Sequence, residues 1–266
     1  MKIAISGKGG SGKTTIAGTL VRAFALQADR VLAIDGDTNP NLALTLGISP
    51  GEMSQIECLP RSLLEEYTDP SGKKSIKLAM TPNEIVTKYG VKAPPGEVTL
   101  LLMGKPDHAG TGCLCGSHRV VRTFLEGMLD NNDGITVTDM EAGLEHLSRG
   151  TARYVDVMLA VAEPYYKSLE TARRTTELAG ELEIKKVFIL ANKVRNEDDR
   201  KAIQEFCNKH SLDLFFSVPF DDSFFQAERA GVAPMDYDPE CVGVAAVKDL
   251  AVHLKKLKEE ELAHEK

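Results

Sequence analysis

The chain has 266 residues, 42% of them hydrophobic, and a formal net charge of −7, so it can bury a large core and has no electrostatic reason to bind nucleic acid. It contains no apolar run of the roughly 18 residues that a membrane span needs, and its N-terminus enters a strand without the apolar stretch of a signal peptide. Five cysteines are too few for a disulfide framework and favour a reducing compartment, so we expect a cytoplasmic protein without membrane or nucleic-acid partners.

Seven short apolar runs alternate with longer stretches of helical period. Several runs are apolar on both faces, as strands buried in a parallel sheet must be. The alternation predicts an α/β three-layer sandwich, with a mostly parallel central sheet of about seven strands and helices on both faces. The predicted strands are KIAIS (2–6), RVLAID (30–35), VTLLLMG (98–104), GITVTD (134–139), VMLAVA (157–162), KVFILAN (186–192) and LFFSV (214–218).

Helices are predicted at 14–28, 168–182 and 198–210, where apolar residues fall on one stripe. The stretch 49–97 breaks the alternation with six prolines and the turn-like DPSGKK. We expect it to form an irregular insertion of short helices and loops within a single domain over 1–266. The C-terminal VKDLAVHLKKL is expected to pack on the core as a helix, in preference to binding a membrane.

A glycine-rich loop, GKGGSGKTT (7–15), follows the first predicted strand and precedes the first predicted helix. It matches G-x-x-x-x-G-K-[ST] in the structural context that this motif requires. The glycines let successive N–H groups face one point at the positive end of the helix. Lys13 can reach the β- and γ-phosphates, and the hydroxyl of Thr14 can ligate Mg²⁺. The motif predicts a P-loop NTPase fold, with the nucleotide held by Gly9, Gly10, Ser11, Gly12, Lys13, Thr14 and Thr15.

Lys8 is additional to the basic motif. With it, the loop resembles that of the deviant-Walker ATPases, the group containing the nitrogenase iron protein and the MinD/ParA proteins. The resemblance implies Mg²⁺-dependent ATP hydrolysis in a homodimer, with Lys8 reaching the partner's nucleotide in an arginine-finger-like role. It also places Asp37, in IDGDTNPN (34–41), in the first switch, where its carboxylate could orient the attacking water. Asp35 is the structural carboxylate in this interpretation, and Lys8, Lys13 and Asp37 are the expected catalytic residues.

Matches further along the chain follow the same resemblance. ITVTDMEAG (135–143) supplies Asp139 as the Walker B carboxylate, and Gly143 follows in the second switch, where its N–H could meet the γ-phosphate. The iron protein carries an aspartate at about the place of Gly143, and its absence here assigns water positioning to Asp37.

The adenine base is expected at two later turns. Asn192, in ANKVRN (191–196), matches the asparagine with which the family reads the adenine edge. VPFDD (218–222) resembles the second base-contacting turn, with Pro219 and Phe220 against the ring. Each short match is weak alone, but their order along the whole chain supports one nucleotide site.

GTGCLCGSH (110–118) places Cys113 and Cys115 one residue apart between glycines. A disulfide between them would close a very small, strained ring, and the flanking glycines disfavour simple packing of two small apolar residues. Metal binding is the favoured interpretation. A helix predicted to begin near Ser117, with apolar residues on one face, would lower the pKa of thiols held just before it, and soft or borderline divalent ions bind thiolates.

Two thiolates do not complete a four-coordinate site. His118 and His108 could supply local ligands, or a symmetric dimer would bring the partner's same two cysteines across the axis. Cys58, Cys207 and Cys241 are expected to be structural.

The combination of GKGGSGKT, CLC and DMEAGLEHLSRGTA resembles the CooC-type accessory ATPases, which insert nickel into carbon monoxide dehydrogenase. The iron protein's second cluster cysteine would fall within EAGLEHLSRG, which has none, so a nitrogenase-type cluster is not expected. The resemblance implies Ni²⁺ binding, with Zn²⁺ possible, at Cys113 and Cys115 in the dimer interface. Carbon monoxide dehydrogenase or its acetyl-CoA synthase-linked form would be the acceptor. The alternatives are a MinD/ParA-type spatial or partitioning ATPase with incidental cysteines, and a non-enzymatic dimer locked by zinc.

Overall fold

The computed structural model describes residues 1–27, 29–68, 72–94, 96–103, 115–128, 134–142 and 152–264. All seven predicted strands are present and run parallel in one sheet. An eighth strand pairs antiparallel at its edge, so the expected mostly parallel sheet is confirmed. The strands are β1 (Lys2–Gly7), β2 (Val31–Gly36), β3 (Leu64–Thr68), β4 (Lys74–Leu78), β5 (Val91–Ala93), β6 (Val98–Leu102), β7 (Ile135–Met140), β8 (Val157–Ala162), β9 (Lys186–Val194) and β10 (Leu214–Pro219).

The sheet order is β10-β9-β8-β1-β7-β2-β6-β5. Strand β1 lies in the interior, and Ile3 is in register with Val137 of β7 and Val157 of β8. Because the seven long strands are parallel, their carboxyl ends meet at one edge, where the loops after β1, β2 and β7 come together.

Helices cover both faces of the sheet, which gives the predicted three layers. They are α1 (Lys13–Leu26), α2 (Leu42–Thr45), α3 (Pro50–Met53), α4 (Pro82–Tyr89), α5 (Cys115–Gly127), α6 (Tyr166–Glu181), α7 (Glu197–His210), α8 (Asp222–Ala230), α9 (Pro234–Tyr237) and α10 (Val242–His264). Ile3 and Ile5 of β1 belong to the core beneath α1 and α10, whereas Ala4 faces the core beneath α4 and α5. A third apolar cluster joins β8 and β9 to α6 and α7.

The insertion 49–97 is more ordered than the sequence predicts. Besides α3, α4 and the 3₁₀ turn Arg61–Leu63, it contains the antiparallel hairpin β3–β4 and the edge strand β5. The prediction of helices and loops alone is therefore wrong. Most of β3 is exposed, and its pairing carries a cross-strand contact of 3.6 Å between Glu65 and Lys77. β3 lacks the alternating apolar signal that marks a half-buried strand, and in β4 that signal rests on Ile76 and Leu78 alone.

The C-terminal helix α10 packs on the core, as predicted. Val244, Val247, Leu250 and Leu254 are each fully buried, against the side of the sheet that α1 also covers. Within the described part of the chain, no helix is both long enough and apolar enough to cross a membrane.

Candidate functional site

The glycine-rich loop turns from β1 into α1, and its shape depends on Gly12 and Asn192. Gly12 caps α1 with φ +92°, a left-handed backbone conformation that residues with a Cβ rarely adopt. A Cβ on Gly12 would stand 2.4 Å from Asn192 Nδ2. That nitrogen donates a 2.7 Å hydrogen bond to the carbonyl oxygen of Ser11. The loop is therefore fixed from outside by a side chain of β9.

One cavity of about 540 Å³ lies in front of this helix N-terminus. Its size suits a mononucleotide. Sequence-predicted residues from three separate segments meet in its lining, namely Gly10, Gly12, Lys13, Thr14, Thr15, Asn192, Pro219 and Phe220.

Lys13 is a buried cation at the base of the loop. Its side chain turns back so that Nζ donates to the carbonyl oxygen of Lys8 at 3.5 Å. Burial lowers the pKa of Lys13, while the negative charges of Asp139 and Asp37 act in the opposite direction. A buried ammonium group held by one long hydrogen bond is a favourable partner for a phosphate oxygen.

Asp139, the last residue but one of the central strand β7, lies next to the first turn of α1. Its Oδ2 accepts a 2.6 Å hydrogen bond from Thr14 Oγ1, whereas its buried Oδ1 has no hydrogen-bond partner among the described residues. Burial, with repulsion from Asp35, raises the pKa of Asp139 to about 8. A hydroxyl and a carboxyl side by side match the hard oxygen ligands that Mg²⁺ prefers.

Asp35, near the end of β2, and Asp37, directly after it, have different roles. Asp35 is fully buried, and its oxygens accept from the backbone N–H of Asp37 at 3.1 Å and of Leu42 at 2.9 Å. It thus holds the loop after β2, in agreement with its expected structural role. Asp37 is half-buried at the start of this loop, and its Oδ1 accepts from the N–H of Asn39 at 2.9 Å.

Lys8 lies on the outer side of the loop in a cluster that the sequence did not predict. Its Nζ donates to Tyr165 Oη at 3.4 Å and lies 5.5 Å from the centre of that ring. Tyr165 in turn donates to Glu163 at 2.7 Å, and the second oxygen of Glu163 lies 2.8 Å from Lys193 Nζ. Lys193 also donates to the carbonyl oxygen of Gly10 at 2.6 Å, so the cluster closes back on the loop.

The outer end of the cavity carries the aromatic residue expected for base binding. Phe220 is 39% exposed, and its N–H donates to the carbonyl oxygen of Val194 at 2.9 Å, which ties the turn after β10 to β9. The guanidinium carbon of Arg195 lies 4.4 Å from the ring centre of Phe220. Arg195 was not among the predicted site residues, although it lies in the same segment as Asn192. Together they present a flat surface on which a base could stack.

Cys115 is the first residue of α5, which begins at the same edge of the sheet as the glycine-rich loop because it follows the parallel strand β6. The predicted apolar face of this helix is buried, with Val120, Val121, Phe124 and Leu125 each at most 1% exposed. Cys113, His108 and Gly143 lie outside the described residues.

His118 is buried one turn into α5. Its Nε2 lies 2.9 Å from Glu141 Oε2, and the other oxygen of Glu141 accepts from Thr38 Oγ1 at 3.1 Å. His118 was expected only as a possible local metal ligand, and Glu141 and Thr38 were not predicted.

The cysteines outside this segment behave as structural residues. Cys207 and Cys241 are buried, and burial raises the pKa of the Cys207 thiol to about 11, which makes it unreactive. Cys58 is half-buried and packs against the main core. These placements agree with the predicted roles.

Comparisons with known proteins identify the chain as a nucleotide-binding domain. A family model for the CobQ/CobB/MinD/ParA nucleotide-binding domain matches residues 2–238. The carbon monoxide dehydrogenase accessory protein CooC of Rhodospirillum rubrum is 38% identical over 247 residues, which cover 91% of this chain and 92% of that protein. An uncharacterised ATP-binding protein of Methanocaldococcus jannaschii is also 38% identical, over 90% of this chain and 92% of its own length.

Among solved structures, the septum site-determining protein MinD of Pyrococcus horikoshii, complexed with Mg-ADP, superposes with a TM-score of 0.73 at 20% identity. The superposition covers 97% of this chain and 96% of that one. At this level of identity, the likeness establishes the fold.

Proposed function

Because the chain belongs to the CobQ/CobB/MinD/ParA nucleotide-binding family and is a P-loop ATP hydrolase, we propose that it is a homodimeric nickel carrier for carbon monoxide dehydrogenase. In this proposal Ni²⁺ is the cargo, bound by Cys113 and Cys115 and released according to the nucleotide state. The observation that carries it is the position of Cys115 at the start of α5, on the nucleotide edge of the sheet, in a chain 38% identical to a carbon monoxide dehydrogenase accessory protein.

The proposed nucleotide chemistry uses the residues around the cavity. The N–H groups of the loop and Lys13 would hold the phosphates, and Thr14 with Asp139 would hold Mg²⁺. The buried Oδ1 of Asp139, which has no hydrogen-bond partner in the part of the chain that the structure describes, supports this assignment. Bound Mg²⁺ would neutralise charge on the β- and γ-phosphates. Asp37 would orient the attacking water, and Asn192 with Pro219 and Phe220 would hold the base.

The proposed cargo site depends on two chains. Thiolates suit Ni²⁺ and Zn²⁺ alike, and a helix N-terminus favours the deprotonated thiol. Two cysteines from each of two symmetric chains supply four sulfur ligands, the number that a closed site requires. The proposal also requires a reducing compartment such as the cytoplasm, where the thiols stay free.

Metal analysis tests the cargo site. The wild type, the double variant Cys113→Ala/Cys115→Ala and the matched control Cys58→Ala are each loaded with Ni²⁺ or Zn²⁺, with ADP or with a non-hydrolysable ATP analogue. Metal content and native mass are measured together. We expect about one ion per dimer in the wild type and the control, and none in the double variant. Unchanged metal content in the double variant would disprove the assignment.

Delivery is tested with nickel-free carbon monoxide dehydrogenase. The loaded wild type should activate that enzyme faster with ATP than with the non-hydrolysable analogue, and the double variant should not activate it. Activation no faster than with the same concentration of free Ni²⁺ would refute delivery. Nucleotide-dependent co-sedimentation with lipid or DNA would instead favour a spatial or partitioning ATPase.

A further inference from the structure

Glu141, the residue directly after β7, connects the nucleotide site to the helix that carries Cys115. Its two carboxylate oxygens contact two different elements, Oε1 with Thr38 in the loop after β2 and Oε2 with His118 on α5. We propose that Glu141 transmits the state of the nucleotide site to the first turns of α5. It would thus be a positioning residue for the cysteine pair, and its consequence for metal binding rests on the function proposed above.

The contacts from Thr38 through Glu141 to His118 are here called the bridge. At its nucleotide end, the bridge is surrounded by residues of the candidate nucleotide site. Asp139, two residues earlier, accepts from Thr14. Ala142, the next residue, lies against the glycine-rich loop, because its Cβ is 3.8 Å from where a Cβ on Gly9 would stand. The segment that holds Glu141 therefore contacts the phosphate-binding loop on one side. On the other side it contacts the loop after β2, residues 37–42, here called the Thr38 loop.

The Thr38 loop is held only in part. Its two ends are fixed by the buried oxygens of Asp35, which accept from the N–H groups of Asp37 and Leu42. Asn39 within it is exposed. Asp37 lies close enough to Lys13 for its charge to act on the pKa of that lysine. A γ-phosphate bound by Lys13 would therefore add negative charge near Asp37, and nucleotides with and without it would act differently on this loop. Thr38 would pass that difference to Glu141.

At the helix end, the bridge contacts His118, whose movement would also displace the first turn of α5. The side chain of His118 is 2% exposed and that of Glu141 is 24% exposed, so their contact is largely sheltered from water. An ionised carboxylate only accepts hydrogen bonds, so Nε2 of His118 carries the proton and donates it. His118 lies three residues after Cys115, within one helical turn, and a displacement of His118 therefore carries the start of α5 with it.

The start of α5 is also seated against the insertion. A Cβ on Gly116 would stand 2.9 Å from Arg61 Nε, so this turn packs closely on the 3₁₀ turn. Val120 and Val121 are buried on the next turn. A closely packed helix end responds to a push by changing between discrete positions, since its neighbours leave it no continuous freedom.

Hydrogen exchange of α5 tests the bridge without relying on metal. The backbone exchange of residues 115–127 is compared in Mg-ADP and in a magnesium-bound, non-hydrolysable ATP analogue, at saturating nucleotide verified by a fluorescent analogue. We expect at least about a fivefold difference in exchange rate in the wild type over residues 119–122, the first amides of α5 with an intrahelical hydrogen-bond acceptor. Thr38→Val, which removes only the hydroxyl, and Glu141→Ala should each abolish the difference. Glu141→Gln, which keeps an acceptor and a donor, should restore most of it.

The control is Thr87→Val, the same chemical change on α4, where the lost bond goes to the backbone of Asn83. It should keep the full difference. Equal exchange in both nucleotide states of the wild type would overturn the proposal, and so would an undiminished difference in both Thr38→Val and Glu141→Ala. If either variant fails to fold or to bind nucleotide, His118→Leu, which has no donor for Glu141, should abolish the difference, and an undiminished difference in it would overturn the proposal.

Metal content measured in the same samples separates this inference from the carrier function. A nucleotide-dependent α5 in a protein that binds no metal would keep the bridge and disprove the cargo site. Metal bound at Cys113 and Cys115 with no nucleotide effect on α5 would keep the cargo site and disprove the bridge.

Discussion

Gly12→Ala should lower the free energy of unfolding for two reasons, backbone conformation and a steric collision. Comparison with Gly10→Ala separates them. Gly12 has φ +92°, and a Cβ there would stand 2.4 Å from Asn192 Nδ2. Gly10 has φ +80°, but a Cβ there would have nothing within 4 Å. The two substitutions therefore share the cost of a left-handed alanine, and only Gly12→Ala also collides with a neighbour.

The structure sets the size of both effects. A left-handed alanine costs about 1–2 kcal/mol, which is the whole expected loss for Gly10→Ala. Gly12→Ala must also displace the Asn192 amide, which is 4% exposed and donates to Ser11 at 2.7 Å. Losing that buried hydrogen bond costs a further ~1–3 kcal/mol. The total expected for Gly12→Ala is about 2–5 kcal/mol.

Urea unfolding of the nucleotide-free protein measures these losses, and the Asn192→Ala background isolates the collision. Once the amide is removed, Gly12→Ala should cost only about 1–2 kcal/mol, the same as Gly10→Ala. An equal cost of Gly12→Ala in both backgrounds would refute the steric argument. Equal costs of Gly10→Ala and Gly12→Ala in the wild type would refute it as well.

Three further predictions concern catalysis, stability and pH. Lys8→Ala should keep nucleotide affinity within about threefold but slow ATP turnover roughly 100-fold or more in steady-state assays, and wild-type turnover would exclude a trans-acting role. Asp236→Ala should lower the free energy of unfolding in urea by roughly 2–3 kcal/mol, because the buried guanidinium of Arg22 loses both of its hydrogen bonds to Asp236, at 2.8 and 2.6 Å. The control Glu97→Ala, at an exposed ion pair, should change it by under ~0.5 kcal/mol. Burial raises the pKa of Asp139 from 3.8 to about 8, so the folded chain keeps a proton that the unfolded chain loses, and this carboxyl lowers the unfolding free energy progressively as the pH rises between those values. Asp139→Asn should remove that part of the fall, on the order of a few kcal/mol, and parallel pH profiles for both proteins would contradict it.

The sequence was sufficient for the features that local pattern determines. The buried parallel strands are continuous apolar runs, and the glycine-rich loop is recognisable because strand, glycines, lysine, hydroxyl and helix follow one another. The helix α5 was also predicted, although it includes Cys115, two residues before the expected start near Ser117. The hairpin β3–β4 was missed because β3 is mostly exposed and has no apolar alternation, and that of β4 rests on Ile76 and Leu78 alone.

Contacts between distant segments were beyond the sequence. The bond from Lys8 to Tyr165 joins residues 157 positions apart, and that from Lys193 to Gly10 joins residues 183 apart. His118 shows the same limit from the other side. Its Cys-x-x-His spacing suggested a local metal ligand, but the fold places its ring on Glu141, which lies 23 residues away.

The two lysines that reach the glycine-rich loop differ in how firmly they are held. Lys193 donates to Gly10 at 2.6 Å and pairs with Glu163 at 2.8 Å, so it is fixed as part of the loop's support. Lys8 has an exposed contact with Tyr165 at 3.4 Å, and exposed contacts of this kind contribute about 0–1 kcal/mol. The side chain of Lys8 can therefore give up its contact with Tyr165 at little cost in free energy. That property is what a lysine requires if it is to reach the nucleotide of a second protomer.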